Sequence, residues 1–262
     1  MRVGQQQPPW RVIRAFPQEN GAALVHLHNV SGGVLAGDDL HLDIDVAPHG
    51  RAQVTTTGAA RIYRHREGAS DSRQTTSISV AEGGVLEYLP DALIPFAGSR
   101  HRQDTRITLA QRATLFGWET VAPGRQAMGE RFQFERLRLS MKIESPAGPV
   151  LLEDFLLEPG SAPLVSPARL GGYTHTATFY AVQVGRSAAD LRELERQLTE
   201  IAVTETRQGC TIWGITALAS DGVVVKGLSS SAHRIPATLA RFWAAARSFL
   251  LGDAPVPPRK PK

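Results

Sequence analysis

The sequence holds one cysteine, Cys210, among 262 residues. No intramolecular disulfide can form and no multi-thiolate zinc site can be assembled. No segment approaches the ~18 consecutive apolar residues that a membrane-spanning helix requires. Residues 1–10 carry no apolar stretch between a charged start and a small-residue cleavage site, so no secretory signal is expected and the protein is placed in the cytoplasm. Lysine is nearly missing, with four against 25 arginines. Arginine suits flat, bidentate, weakly hydrated ion pairs in interiors and interfaces, although a preference for arginine codons gives the same bias. The net charge of +4 is too mild and too evenly spread to point to nucleic acid. Aromatic residues make up only 6%, which leaves no stacking platform for a sugar. Several motifs are missing too. There is no Gly-x-Ser-x-Gly elbow, no zinc-protease His-Glu pair, and no phosphate loop with its lysine and following helix.

What is present is a strand period. Leu40-His-Leu-Asp-Ile-Asp-Val46 and Leu137-Arg-Leu-Ser-Met-Lys-Ile143 alternate apolar and polar residues without a break, as strands with one face on a core do. Further strands are expected over 22–27, 52–57, 75–80, 85–89, 106–109, 114–121, 150–157, 176–184, 211–218 and 222–227. Turn signals such as Ala47-Pro-His-Gly50 and Ala81-Glu-Gly-Gly84 punctuate them. Two helices are expected in the last third. One begins at a capping sequence, Ser187-Ala-Ala-Asp190, and buries Leu191, Leu194, Leu198 and Ile201. The other starts near Pro236 and stops at Gly252. The fold class is therefore β-dominated in a stacked two-layer architecture, one domain over 1–252 with a Pro-rich, basic, extended tail over 253–262. No repeat of fixed period is visible, and hairpin sandwich and stacked coil stay equally open.

Three of these strands are apolar on both faces yet carry carboxylates: Glu87 in Val85-Leu-Glu-Tyr-Leu89, Glu119 after Trp118, and Glu153 beside Asp154. A buried ionised carboxylate without a partner costs several kcal/mol, so each must meet a cation, a donor network or a hydrated cavity. Pairing with arginine is one reading; a cation path, or acid/base work as in glycoside hydrolysis, is another. In the glycine stretch Ser31-Gly-Gly-Val-Leu-Ala-Gly-Asp-Asp39, the glycines permit tight turning and Asp38 and Asp39 offer oxygen ligands at a strand entrance. His26 and His28 share a strand face at ligand-like spacing.

These blocks, in order, resemble the urease accessory protein UreD family. Asn29-Val-Ser-Gly-Gly-Val-Leu-Ala-Gly-Asp38 is similar to its glycine loop, with Gly32, Gly33 and Gly37 on the motif positions. Thr57-Gly-Ala-Ala-Arg-Ile-Tyr-Arg64 is similar to its next signature and supplies Arg61, Tyr63 and Arg64. Leu86-Glu-Tyr-Leu-Pro90, carrying Glu87, follows, then Gly117-Trp-Glu119 with Trp118, then Arg125 and Glu130. Pro257-Pro-Arg259 is similar to the family's closing Pro-Arg. The resemblance implies a non-enzymatic scaffold that works with UreF and the GTPase UreG, in complexes that could include a homodimer, to deliver nickel to apo-urease. It implies nickel in transit rather than as a resident cofactor, in an internal hydrated channel lined by Asp38, Asp39, Glu119 and Glu153. The chain departs from the family at Asp91, at Arg61 in place of lysine, and at Lys260-Pro261. It also begins close to the glycine loop, so an uncovered sheet edge is expected there. The rival readings are a β-rich hydrolase using these carboxylates and an interaction module without a metal path.

Overall fold

The computed structural model describes residues 1–258. In chain order the strands begin with β1 (Trp10–Arg11), β2 (Ala15–Pro17), β3 (Ala23–Asn29), β4 (Asp39–Val46), β5 (Arg51–Thr56) and β6 (Ala60–Ile62). They continue with β7 (Ser72–Val80), β8 (Val85–Leu89), β9 (Leu93–Pro95), β10 (Arg100–Leu109) and β11 (Thr114–Val121). The last are β12 (Arg136–Ser145), β13 (Gly148–Leu157), β14 (His175–Gln183), β15 (Thr211–Ala217) and β16 (Gly222–Ser229), with α1 (Ala188–Glu205) and α2 (Ile235–Leu251) among them. Among the described residues no helix is long and apolar enough to cross a membrane.

The strands form two sheets. The larger runs β1-β3-β5-β8-β11-β14-β16-β15, with β2, β6 and β9 appended, and the smaller runs β13-β12-β10-β7-β4. Between β3 and β12 the chain crosses from one sheet to the other and back, and, β6 and β9 aside, each strand pairs in parallel with the preceding main strand of the same sheet. That is a stacked coil, not a hairpin sandwich. Three four-residue turns return the chain from the small sheet to the large one: Ala47-Pro-His-Gly50, Ala81-Glu-Gly-Gly84 and Ala110-Gln-Arg-Ala113. Each places its third residue in the left-handed region, His49 at φ 55°, Gly83 at 62° and Arg112 at 57°. The turns also bond to one another, His49 N–H to the Glu82 carbonyl at 2.9 Å and Gly83 N–H to the Gln111 carbonyl at 3.1 Å. The opposite ends of the coil carry insertions of unequal length, including β6 and β9. This is why the sequence shows no fixed period although the structure repeats.

The coil fixes which residues face inward. Ile78, Val80, Ile107, Leu109, Met141 and Ile143 of the small sheet meet Val25, Val54, Leu86, Leu115, Tyr180 and Val182 of the large one. The two helices cover the other face of the large sheet, where Phe116, Phe179 and Val225 meet Leu194, Leu198, Phe242 and Trp243. α1 begins as its cap demands, the Ser187 hydroxyl accepting from Asp190 N–H at 3.1 Å. α2 carries proline in its first turn and ends on Gly252 at φ 71°. Gly227 lies directly opposite Trp213 on the helix side, and any Cβ there would overlap the indole.

Two expectations change. The edge beside the glycine loop is covered, because β1 and β2 both pair antiparallel with β3. The first part of the tail is docked rather than free: the Asp253 carboxylate meets Arg51 at 2.5 Å, and the Val256 carbonyl accepts from Gln53 at 3.0 Å. Residues 259–262 of the expected tail, with the closing Arg259 of the motif, lie outside the described residues.

Candidate functional site

The three carboxylates set in apolar strands meet different fates. Glu87 points from β8 toward the helices and is paired. The Arg247 guanidinium donates to it through Nε at 2.8 Å and Gln53 through its amide at 2.6 Å, with Glu87 and Arg247 both almost fully buried. Glu87 is therefore held as a structural ion pair.

Glu119 and Glu153 are brought together. Strand β11 aims Glu119 between the sheets, and β13 aims Glu153 at it from the small sheet. The Tyr180 hydroxyl on β14 reaches both, 3.3 Å from Glu119 and 3.1 Å from Glu153. Gln103 on β10 donates to the other oxygen of Glu119 at 3.0 Å, and the Lys226 ammonium on β16 lies 2.7 Å from Glu153. One hydroxyl carries one proton, so Tyr180 can donate to only one carboxylate at a time. Burial and the nearby Glu153 charge push Glu119 up to about 7, against the opposing pull of Tyr180, Gln103 and Lys226. Tyr180 and Tyr88 are both held well above the ordinary tyrosine value, chiefly by burial and then by the Glu119 charge. The result is a half-buried, oxygen-rich cluster with a shared proton and one built-in cation.

Sequence reasoning found the two glutamates but not Tyr180, Gln103 or Lys226. A signal for the last was available. In a chain that otherwise uses arginine, lysine within the apolar run Val223-Val-Val-Lys226 is conspicuous.

Asp38 and Asp39 lie elsewhere. Asp39 opens β4, the edge of the small sheet opposite β13, so four strand spacings, roughly 19 Å, separate the two edges. Asp39 is exposed and faces His41 at 3.3 Å. The Asp38 carboxylate accepts the Leu35 N–H at 2.8 Å and closes the loop turn. Gly32 and Gly37 adopt φ 78° and 84° in that loop. A Cβ on Gly33 would overlap the Tyr63 ring and lie 2.7 Å from the Arg61 carbonyl. Tyr63 stacks edge-on against Phe96, the Arg125 guanidinium lies over the Phe96 ring at 4.3 Å, and Arg125 is paired with the buried Glu130. Arg64 packs beside Gly98, so Arg61, Tyr63, Arg64 and Arg125 all brace the glycine loop and its surroundings. Trp118 donates to the Pro90 carbonyl at 2.8 Å, and Asp91 exchanges hydrogen bonds with Thr56. His26 is buried edge-on against Phe16. No group of three or more His, Cys, Asp or Glu side chains placed to hold a metal ion occurs among the described residues.

Fold and site together define a stacked-coil β protein with a pair of interior carboxylates at one side and a braced glycine loop at the other. The model of the family described as UreD urease accessory protein matches residues 1–262. The chain is 42% identical over 260 residues to urease accessory protein UreD of Herpetosiphon aurantiacus, covering 99% of this chain and 90% of that protein. It is 34% identical over 251 residues to the protein of that name from Pseudomonas putida strain W619, covering 96% and 84%. With that of Haloarcula marismortui it shares 32% over 237 residues, covering 90% and 76%. The chain belongs to the UreD urease accessory protein family.

Proposed function

We propose that this chain is a non-enzymatic cytoplasmic scaffold of urease maturation that works with UreF and the GTPase UreG to pass nickel to apo-urease. The observation that carries the reading is the Glu119–Tyr180–Glu153 cluster, two carboxylates sharing one hydroxyl between the two sheets. Carboxylate and phenol oxygens hold a borderline divalent ion loosely enough to release it, whereas a thiolate or imidazole cage would retain it. With Glu119 at about 7, a proton and a cation compete for that oxygen near neutral pH. Asp39, exposed where the loop enters β4, belongs to this reading as an outer contact on the same route, and Asp38 holds the turn that presents it. The relatives' shared name supports the urease role.

A hydrolytic pair would need its carboxylates free to face a bond from two sides. Here the Tyr180 hydroxyl occupies the gap between them, which favours the transit reading. The test is nickel content and activity of urease co-produced with its accessory proteins, with the native chain, without it, and with Glu119→Gln or Glu153→Gln. Loss of both quantities without the chain and in the variants, with complexes intact, supports the proposal. Full nickel loading without the chain would sink it, and hydrolytic activity of the isolated chain that disappears in Glu119→Gln would replace it.

A further inference from the structure

The carboxylate cluster between the sheets has an order from solvent inward. Across the large sheet Gly214, Lys226, Thr178 and Glu119 lie in one row on the neighbouring strands β15, β16, β14 and β11. The Lys226 side chain is 61% exposed and that of Glu153 21%, while Tyr180 is almost fully buried. Each oxygen of Glu153 has its own contact. Oε2 accepts from the Tyr180 hydroxyl at 3.1 Å, on the inner side, and Oε1 meets the Lys226 ammonium at 2.7 Å, on the outer side. The lysine therefore holds the solvent end of the cluster, and an ion that reaches or leaves Glu153 from that end meets the ammonium first.

The choice of cation at this position is particular. Glu87, Asp104 and Glu130, paired acids more buried than Glu153, are held by the guanidinium groups of Arg247, Arg102 and Arg125. The sequence has 25 arginines and four lysines, yet a lysine stands at Glu153. A guanidinium grips a carboxylate through a rigid fork, whereas an ammonium is a hydrated point charge on a flexible four-carbon stem. Such a half-exposed pair is worth little and gives way to water readily. The stem also has room to move, because its neighbour in the row is Gly214, where a Cβ would meet nothing within 4 Å. A divalent ion that replaces the ammonium changes the local charge by one unit rather than two, so exchange meets less repulsion than addition.

We propose that Lys226 is a tethered counter-ion: it holds the outer oxygen of Glu153 while no metal is bound, swings over Gly214 into solvent when a divalent cation takes that oxygen, and returns to expel the cation. The inference rests on the transit reading above and adds to it a residue that regulates release. Because the ammonium is attached to β16, its effective concentration at Glu153 is fixed by the stem and does not fall as metal rises. It therefore limits how tightly the two carboxylates can hold an ion, and keeps a transit point from becoming a trap.

The test is the nickel affinity of the full chain, read by competition with a chromophoric chelator at neutral pH and low ionic strength. Lys226→Met removes the competitor and should bind nickel at least tenfold more tightly than the native chain, a gain that adding Glu153→Gln should abolish. Lys226→Arg keeps the charge and the fold but grips Glu153 through a fork, and should bind nickel at least threefold more weakly. With urease and its accessory proteins co-produced, Lys226→Met should raise the nickel retained per accessory chain and lower the nickel per urease, whereas misfolding would lower both. An affinity in Lys226→Met within twofold of the native value, with Glu119→Gln still weakening binding, would overturn the proposal and leave the transit reading standing. No binding to Lys226→Met up to millimolar nickel, or binding indifferent to both Glu119→Gln and Glu153→Gln, would overturn the transit reading and the proposal with it.

Discussion

The Arg247 guanidinium on α2 and the Glu87 carboxylate on β8 meet at 2.8 Å, 160 residues apart in sequence and each at most 2% exposed. Around them the structure closes. Gln53 donates to Glu87 and Gln18 to Gln53, while Arg247 also donates to the Ala254 carbonyl at 2.5 Å and faces Asp253 at 3.8 Å. One buried pair thus ties the coil, the last helix and the docked start of the tail together.

Removing one member should strand the other as an uncompensated buried charge. Arg247→Met is expected to cost about 3–5 kcal/mol, and Glu87→Leu combined with Arg247→Met to recover most of it, because well-packed apolar replacements of a buried pair are often neutral. Urea unfolding of the single and double variants measures both. A loss below about 1 kcal/mol in Arg247→Met would show the pair to be solvated.

Much of this architecture was legible in the sequence, because strand period, turn residues and caps are local. Ser187, Pro236 and Gly252 mark their helix ends where the structure has them, and Val85–Leu89 and Thr114–Val121 are strands at the expected bounds. The coil was not legible, since parallel stacking depends on which turns bond to one another, and Glu82 to His49 is a contact between turns far apart in the chain. Nor could the sequence separate Glu87 from Glu119. Both interrupt apolar strands, and only the distant Arg247 or the nearby Tyr180 decides which is paired and which is left to share a proton. The four acids expected on one route divide into an interior pair and a loop pair for the same reason.

The Glu119 proton makes stability depend on pH. Its folded value of about 7 exceeds the 4.5 of a free glutamate, so between those values the native state binds more protons than the unfolded chain. Its contribution is therefore most favourable below pH 4.5 and is lost as pH rises through 7, by about 1–3 kcal/mol. Glu119→Gln should flatten that part of the profile. Chemical denaturation of both proteins at pH 5 and pH 8 would show the difference narrowing or persisting, and an equal pH slope in the variant would assign the titration to another group.

Gly33 tests the brace of the glycine loop. With the Tyr63 ring and the Arg61 carbonyl in the way of any Cβ, Gly33→Ala must displace the loop or the tyrosine, at a cost of about 1–3 kcal/mol. Gly58, with open space around it, is the control, and Gly58→Ala should change stability by less than about 0.5 kcal/mol. Thermal unfolding of the two variants side by side gives the comparison.

The separation of the acids predicts two kinds of loss. Asp38 accepts a backbone hydrogen bond that closes its turn, so Asp38→Ala should lower stability by about 0.5–2 kcal/mol, as loss of a cap does. Among the described residues the Asp39 side chain makes only an exposed contact to His41, and Asp39→Ala should leave stability unchanged. Glu153→Gln removes the charge opposite Lys226 and the like charge that raises Glu119, so Glu119 should titrate lower in that variant. If the interior pair passes the metal, Glu119→Gln and Glu153→Gln should reduce nickel in urease without lowering the yield of accessory complex. Asp38→Ala should then reduce nickel only in proportion to folded protein. Nickel per urease plotted against folded accessory protein distinguishes the two cases, because a structural loss moves along that line and a transit loss falls below it.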